Sequence, residues 1–249
     1  MNLGKQIASG NTARIYLSED KIIKIYHDYL PDNEATYEAN KQQFAFDCGL
    51  PVPNILEITE VDEKQAIVME YIQGRTFGEL ALENKDQTEY YMGISVSIQQ
   101  KIHSVEATTL EPMEGKLRRQ LESANKLTKL QKIALLQKLD SMPFDQKLCH
   151  GDYHLFNLLL SDQQVTIIDW VDSSAGTISA DVYRTYLLYS FISMDLATLY
   201  VNQYCEKSGM LKEEVFQWAP IIAGARLSES LPEKESDYLL EIVNQYVSV

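Results

Sequence analysis

The feature that most constrains this chain lies at residues 148–169, LCHGDYHLFNLLLSDQQVTIID. Two apolar runs, 155–160 and 165–168, flank the polar stretch Ser161-Asp162-Gln163-Gln164, the pattern of a β-hairpin with a short turn. Polar residues stand at set places around it: His150, Asp152 and Asn157 before or inside the first run, Asp169 at the end of the second. A single Asp in a loop reads as a turn or cap residue. Several polar residues embedded in apolar strands do not, because burying them without a use costs stability.

The rest of the chain divides around this segment. Residues 5–7 and 13–17 read as a hairpin about the small polar stretch 8–12, and the β-branched run 22–26 (IIKIY) as a third strand. Residues 33–48 carry Tyr37, Phe44 and Cys48 at helical spacing, with Ala35, Ala39 and Ala45 as helix formers, and are closed by Gly49, Pro51 and Pro53. Residues 55–59 and 65–70 read as two more strands about an acidic turn. After the polar break Gln73-Gly74-Arg75 the pattern turns helical: 87–103 and 115–139 are long periodic segments, and 178–247 is helical with Gly209 and Pro232 as punctuation. A strand-rich first third followed by a helical remainder predicts two lobes, and a ligand site where lobes meet.

Composition narrows the classes. The 249 residues include 22 Lys and Arg against 36 Asp and Glu, a formal charge of −14, which argues against nucleic acid or an anionic membrane as the main partner. An apolar fraction of 45% with 15 tyrosines suffices for a sizeable core. The cysteines Cys48, Cys149 and Cys205 are widely spaced, which predicts neither a disulfide framework nor a zinc ribbon and suits a cytoplasmic location. The N-terminal residues have no secretory pattern, and no apolar run approaches the ~18–20 residues needed to span a bilayer.

Phosphoryl transfer from a nucleotide asks for few protein groups: a carboxylate at the attacking hydroxyl, oxygen ligands for magnesium, and a cation on the remaining phosphates. Asp152 fits the first role, while Asn157 and Asp169 offer the hard oxygen donors that suit magnesium and not zinc. The pattern His150-Gly151-Asp152 with Asn157 five residues on, then an apolar strand ending in Asp169, resembles the aminoglycoside phosphotransferase and choline kinase-like family, relatives of the protein kinases. Gly151 at the middle position and Trp170-Val171 after the aspartate are the features of its small-molecule branch. The resemblance implies an α+β, two-lobed protein-kinase-like fold. Its small antiparallel-sheet N-lobe with one helix would cover residues 1–70 and bind nucleotide. A hinge would span 71–76, and a larger, mainly helical, catalytic and substrate-binding lobe containing the hairpin would follow at 77–249.

The same resemblance implies site roles. Asp152 is the catalytic base, Asn157 and Asp169 the magnesium ligands, His150 a brace of the loop and Asp181 its buttress, with Gly176 beside it in the branch's downstream pattern. Lys24 on the third strand would hold the α- and β-phosphates, paired with Glu38, with Glu34 one turn earlier as its rival. Ser9, Gly10, Asn11 and Thr12 would cover the phosphates, a departure from the usual glycine-rich loop because only one glycine is present. Met69 would line the adenine pocket, with backbone contacts at Glu70 and Ile72. Tyr153, Trp170, Asp172 and the 183–189 region would face the acceptor.

The cofactors implied are ATP, with GTP as alternative donor, and Mg2+. The partner is a small hydroxylated acceptor, for which the acidic charge allows a cationic one, and the chain is expected to be a monomer or homodimer. The interval from Asp169 to Asp181 is short for a protein-kinase activation segment, which favours small acceptors. Two other readings compete: a non-catalytic nucleotide-binding module of the same fold, and a metal-dependent hydrolase using the run His150-x-Asp152-x-His154 with Asp169 as a further ligand. Against the hydrolase, the two remaining histidines, His27 and His103, sit in no ligand-like cluster of the sequence.

Overall fold

The computed structural model describes residues 3–10 and 12–247. It divides into two compact units, Met1–Thr88 with Leu155–Asp172, and Glu89–His154 with Ser173–Val249. Among the described residues no helix is long and apolar enough to cross a membrane.

The first unit is built on an antiparallel sheet of five strands: β1 (Lys5–Ser9), β2 (Ala13–Ser18), β3 (Lys21–Tyr26), β4 (Ile55–Val61) and β5 (Lys64–Glu70), in spatial order β1-β2-β3-β5-β4. Side chains alternate across a strand. Ile23 and Ile25 of β3 therefore join Val61, Ala66 and Val68 on one face. Tyr26 on the other face meets Ile67 and Ala13 together with Ala35 and Ala39 of helix α1 (Glu34–Asp47). Lys24, two residues before Tyr26, shares that helix-covered face. The β4–β5 turn is two residues, Asp62 and Glu63, both with positive φ, the twist that closes a tight hairpin. Helix α1 ends where Cys48 donates back to Phe44 and Gly49 takes a φ of +77°.

The short strand β6 (Arg75–Thr76) and helix α2 (Phe77–Glu83) follow; Thr76 and Glu79 form a reciprocal capping box. The hairpin Leu158–Ser161 with Gln164–Ile167 packs on them, β6 pairing with its first strand. A Cβ on Gly74 would lie 2.4 Å from the carbonyl oxygen of Leu160, so only glycine permits this approach. The amide of Ile167 also donates to the carbonyl of Pro51, tying the hairpin to the segment after α1. The apolar run at 155–160 is not strand throughout: Leu155–Asn157 is a 3-10 turn, and the strand starts at Leu158. Asp169 lies two residues beyond the second strand, with φ +66°.

The second unit is mainly helical. Helix α3 (Thr88–His103) precedes α4 (Met113–Ser123), α5 (Lys129–Ser141) and strand β7 (Lys147–Cys149). The hairpin strands just described are β8 and β9; β10 (Ser174–Gly176) pairs antiparallel with β7. Helices α6 (Ile178–Ile192), α7 (Met194–Ser208), α8 (Lys212–Phe216), α9 (Ala219–Arg226) and α10 (Glu233–Val247) complete it. The periodic stretch 115–139 is two helices, not one. The side chain of Thr128 caps the amide of Gln131, whose own side chain accepts from the Thr128 amide, so a new helix starts there. Gly209 ends α7 with φ +75°.

Candidate active site

Lys24 and Glu38 meet in the first unit. The Lys24 Nζ lies 2.6 Å from Glu38 Oε1, and Tyr26 donates its hydroxyl to Glu38 Oε2 at 2.6 Å. Glu38, not Glu34, is the partner. Lys24 is only 8% exposed and Glu38 1%, so both charges are out of water and depend on their partners. Burial alone would lower the Lys24 pKa, but the carboxylates of Glu38 and then Asp169 outweigh it and hold the ammonium above its ordinary value. Burial, followed by the Glu38 charge, keeps the Tyr26 phenol far above its usual range, so it stays a donor.

Asp169 completes this cluster, with Oδ1 3.6 Å from Lys24 Nζ. The side chain is 42% exposed, yet Oδ1 is buried and has no hydrogen-bond partner. Asn157 is buried, and its carbonyl accepts the amide of Ile168, which brings its backbone beside the residue preceding Asp169. The Asp169 carboxylate and the side-chain oxygen of Asn157 are hard donors of the kind that fit a magnesium ion. Asp172 is half-buried, and its charge helps to raise the pKa of Glu34, after burial and the neighbouring Glu38.

The nucleotide-facing candidates of the sequence are unevenly placed. Ser9 and Gly10 are exposed, and the Gly10 amide already donates to the Ala13 carbonyl at 2.9 Å. Thr12 is half-buried, and its carbonyl accepts from His27; Asn11 lies outside the described residues. Met69 packs against the helix-covered core, with its sulfur 3.9 Å from Gln42 Nε2. The Glu70 amide is committed to the Asn54 carbonyl, so any adenine contact from its backbone must use its carbonyl oxygen. Ile72 is half-buried in the stretch before β6.

In the second unit the loop His150–His154 is held from below by α6. Asp181 accepts the amides of Gly151 at 2.8 Å and His150 at 3.4 Å, and Arg184, one turn on, donates from Nε to the Gly151 carbonyl at 2.9 Å. Gly151 is thus gripped at both its amide and its carbonyl, with a φ of +81° that other residues rarely adopt. Asp181 also accepts from Gln99 of α3 and is 2.9 Å from His103 Nε2, while His103 Nδ1 is 2.6 Å from the hydroxyl of Tyr204. Burial would raise the Asp181 pKa, but His103 and the Gly151 amide more than reverse this and hold the carboxyl below its ordinary value. His150 is fully buried, and its Nδ1 accepts the Asp152 amide at 3.3 Å. The Asp152 carboxylate stays partly exposed, 3.6 Å from His154 Nε2.

Two residues expected to face the acceptor are buried in this structure. Tyr153 is fully buried with its hydroxyl donated to the Ser95 carbonyl, and Trp170 is fully buried with its indole N–H on the Ile167 carbonyl. Both are core residues because a large aromatic ring buries its apolar body and finds a partner for its polar tip. His103 is likewise not isolated: its ligand atom and those of Cys149 and Asp181 lie within 4.8 Å of one another. These atoms are occupied by hydrogen bonds, the Cys149 thiol by the Thr177 carbonyl. Among the described residues, His150, Asp152 and His154 form no such three-ligand group.

Sequence reasoning passed over Gln99, His103 and Arg184, which look like ordinary helix residues until folded. It also missed Lys41, which is buried and donates to the Val171 carbonyl at 2.6 Å. Its spacing of three from Glu38 was a usable signal, because it sets the two on one helix face.

Known proteins give the chain its relatives. Human acyl-CoA dehydrogenase family member 11 is 25% identical over 199 residues, 70% of this chain; the match spans 25% of that protein's own length. A thermostable mutant of the aminoglycoside phosphotransferase APH(4)-Ia, apo form, superposes with a TM-score of 0.74 at 12% identity, covering 98% of this chain and 93% of that one. Another form of that enzyme, in ternary complex with AMP-PNP and hygromycin B, gives 0.71 at 12% identity, with 98% and 92% covered. A choline/ethanolamine kinase family protein from Mesorhizobium loti gives 0.67 at 14% identity, with 98% and 88% covered. These likenesses establish the fold as the kinase-like fold of the aminoglycoside phosphotransferases, with its five-stranded antiparallel sheet and helical remainder. The model of the phosphotransferase enzyme family matches residues 4–220, and the chain belongs to that family.

Proposed function

We propose that this protein transfers the γ-phosphoryl group of ATP to a hydroxyl of a small molecule, with Mg2+ as the metal. The observation that carries the reading is the buried Lys24–Glu38 pair 3.6 Å from an Asp169 oxygen that lacks a hydrogen-bond partner. A buried carboxylate oxygen that faces a cation but makes no hydrogen bond carries a cost, and a phosphate–metal site gives that cost a use.

In this reading Lys24, set by Glu38, grips the α- and β-phosphates. Asn157 and Asp169 would hold the magnesium, which would supply neutralisation of phosphate charge. Asp152 accepts the proton of the acceptor hydroxyl as its oxygen bonds to the γ-phosphorus and ADP departs. The clamp on Gly151 from Asp181 and Arg184 sets the backbone from which Asp152 projects. Residues 1–70 would serve the nucleotide, 71–76 the hinge and 77–249 the acceptor. The AMP-PNP and hygromycin B held by the APH(4)-Ia form favour an adenine nucleotide and a small hydroxylated acceptor. The formal charge of −14 and the half-buried Asp172 favour an amine-bearing acceptor. A cytoplasmic location and a monomer or homodimer complete the proposal.

The test is ADP release across a panel of amines, sugars and antibiotics, followed by Asp152→Ala on the best acceptor. The variant is expected to lose about 10²–10⁴-fold in turnover with ADP binding retained. Undiminished turnover in it would sink the assignment.

A further inference from the structure

We infer that Lys41 is a positioning residue for Asp169: donated from α1 to the Val171 carbonyl, its ammonium locks the metal-binding segment to the helix that carries Glu38. The inference rests on the phosphotransferase reading and adds to it a residue that touches neither nucleotide nor metal.

The contacts close a ring. Lys24 binds Glu38 at 2.6 Å on α1; three residues along the same helix face, Lys41 binds Val171 at 2.6 Å; two residues back from Val171, Asp169 returns to Lys24 at 3.6 Å. Any shift of α1 therefore moves the phosphate-binding lysine's partner and the Asp169 segment together. Asp169 takes a φ of +66°, a conformation that aspartate adopts more readily than most residues but that still lies above helix and strand in energy, so contacts on both sides help to keep it. Before it the Ile168 amide is fixed by the Asn157 carbonyl, and just after it the buried Trp170 indole is tied to Ile167. Lys41 adds a hold one residue further on, at the Val171 carbonyl.

Lys41 is also built for one geometry. It is 3% exposed, and its ammonium lies 4.0 Å from the ring centroid of Tyr37, one turn earlier on α1. The Glu34 carboxylate on the same face feels its charge. Removing an ammonium from water costs several kcal/mol, so a lysine meant only to be solvated would extend outward.

The experiment compares ADP affinity by calorimetry, with and without Mg2+, in the native chain and in Lys41→Met, with thermal melting recorded alongside. The expected result is a metal-free ADP affinity within about twofold of native and a tightening by Mg2+ that is reduced about tenfold, the worth of one charge-assisted hydrogen bond. Lys41→Arg, which keeps the charge and the donors, should recover most of the tightening. If Lys41→Met melts too low to assay, Lys41→Gln is read in the same way. An unchanged Mg2+ effect in the variant, or an equal loss of affinity with and without metal, overturns the inference and leaves the functional reading standing. Absence of any Mg2+ effect in the native chain overturns both.

Discussion

In the first unit Lys24, Glu38 and Asp169 gather three charges and leave Asp169 Oδ1 buried without a hydrogen bond, on a residue held at φ +66°. In the second, Asp181 is surrounded by donors: two loop amides, Gln99 and His103. Both clusters bury carboxylates, but Asp181 is ringed by hydrogen-bond donors, whereas Asp169 Oδ1 faces the Lys24 ammonium at 3.6 Å without a hydrogen bond. A satisfied buried carboxylate shapes the backbone around it, here the glycine before Asp152, and its worth lies in the folded state. A carboxylate oxygen that has a cation near it but no hydrogen bond keeps part of its desolvation cost, which a ligand can offset. The two regions should therefore respond in opposite ways when their charges are removed.

The largest effect is expected at Asp181. Asp181→Ala leaves His103 and the amides of His150 and Gly151 without this acceptor, with only Thr185 left to accept from Gln99, and should lower stability by about 3–5 kcal/mol at neutral pH, read by urea unfolding. The sign with pH follows from the depressed carboxyl: its contribution is complete above the ordinary value of 3.8 and is lost as pH falls through the lower, folded value. The gap between native and variant should thus hold from neutral pH down to that ordinary value and narrow only below it. A gap of under about 1 kcal/mol would make Asp181 no more structural than a surface carboxylate.

The same contrast explains what the sequence could reveal. Asp152, Asn157 and Asp169 stand in a linear pattern set by one loop and one hairpin, so they are legible as a string. The strands at β3 and β5 and helix α1 follow their periodicity and alanine content closely. The Asp181 network joins α3, α6 and α7, and Gln99, His103 and Tyr204 carry no mark in the string of the partner they will meet. Tyr153 and Trp170 look like binding aromatics because they flank motif residues, but that neighbourhood is also where a core must pack to hold the loop. The helix break before α5 was legible in Thr128 and Gln131, a capping pair hidden inside an otherwise helical period.

A smaller and opposite response is expected in the first unit. The double variant Lys24→Met with Glu38→Gln removes the two buried charges of the cluster together, a change that elsewhere is neutral or stabilising by about 1–4 kcal/mol, and leaves the Asp169 carboxylate, 42% exposed, to water. Its melting temperature should hold or rise. ADP affinity, measured by calorimetry, should fall by tenfold or more, since a charged contact to phosphate is worth about 1.5–3 kcal/mol. A variant that unfolds as readily as Asp181→Ala while still binding ADP would erase the distinction between the two clusters.

The smallest effect separates the two ends of the loop clamp. Arg184 donates to the Gly151 carbonyl at 2.9 Å and to Glu229 at 3.1 Å, while Asp181 holds the amide side of the same residue. Arg184→Met removes the carbonyl contact but leaves Glu229 paired with Arg226 and leaves every Asp181 donor in place. The consequence should be local opening with little global loss. Hydrogen exchange in the segment 148–157 should quicken about tenfold, the equivalent of about 1.4 kcal/mol, and the urea midpoint should move far less than in Asp181→Ala. Exchange unchanged in that segment would mean that Asp181 alone sets the loop. A global loss equal to that of Asp181→Ala would instead mean that the clamp, and not the carboxylate, is what the second unit needs in order to fold.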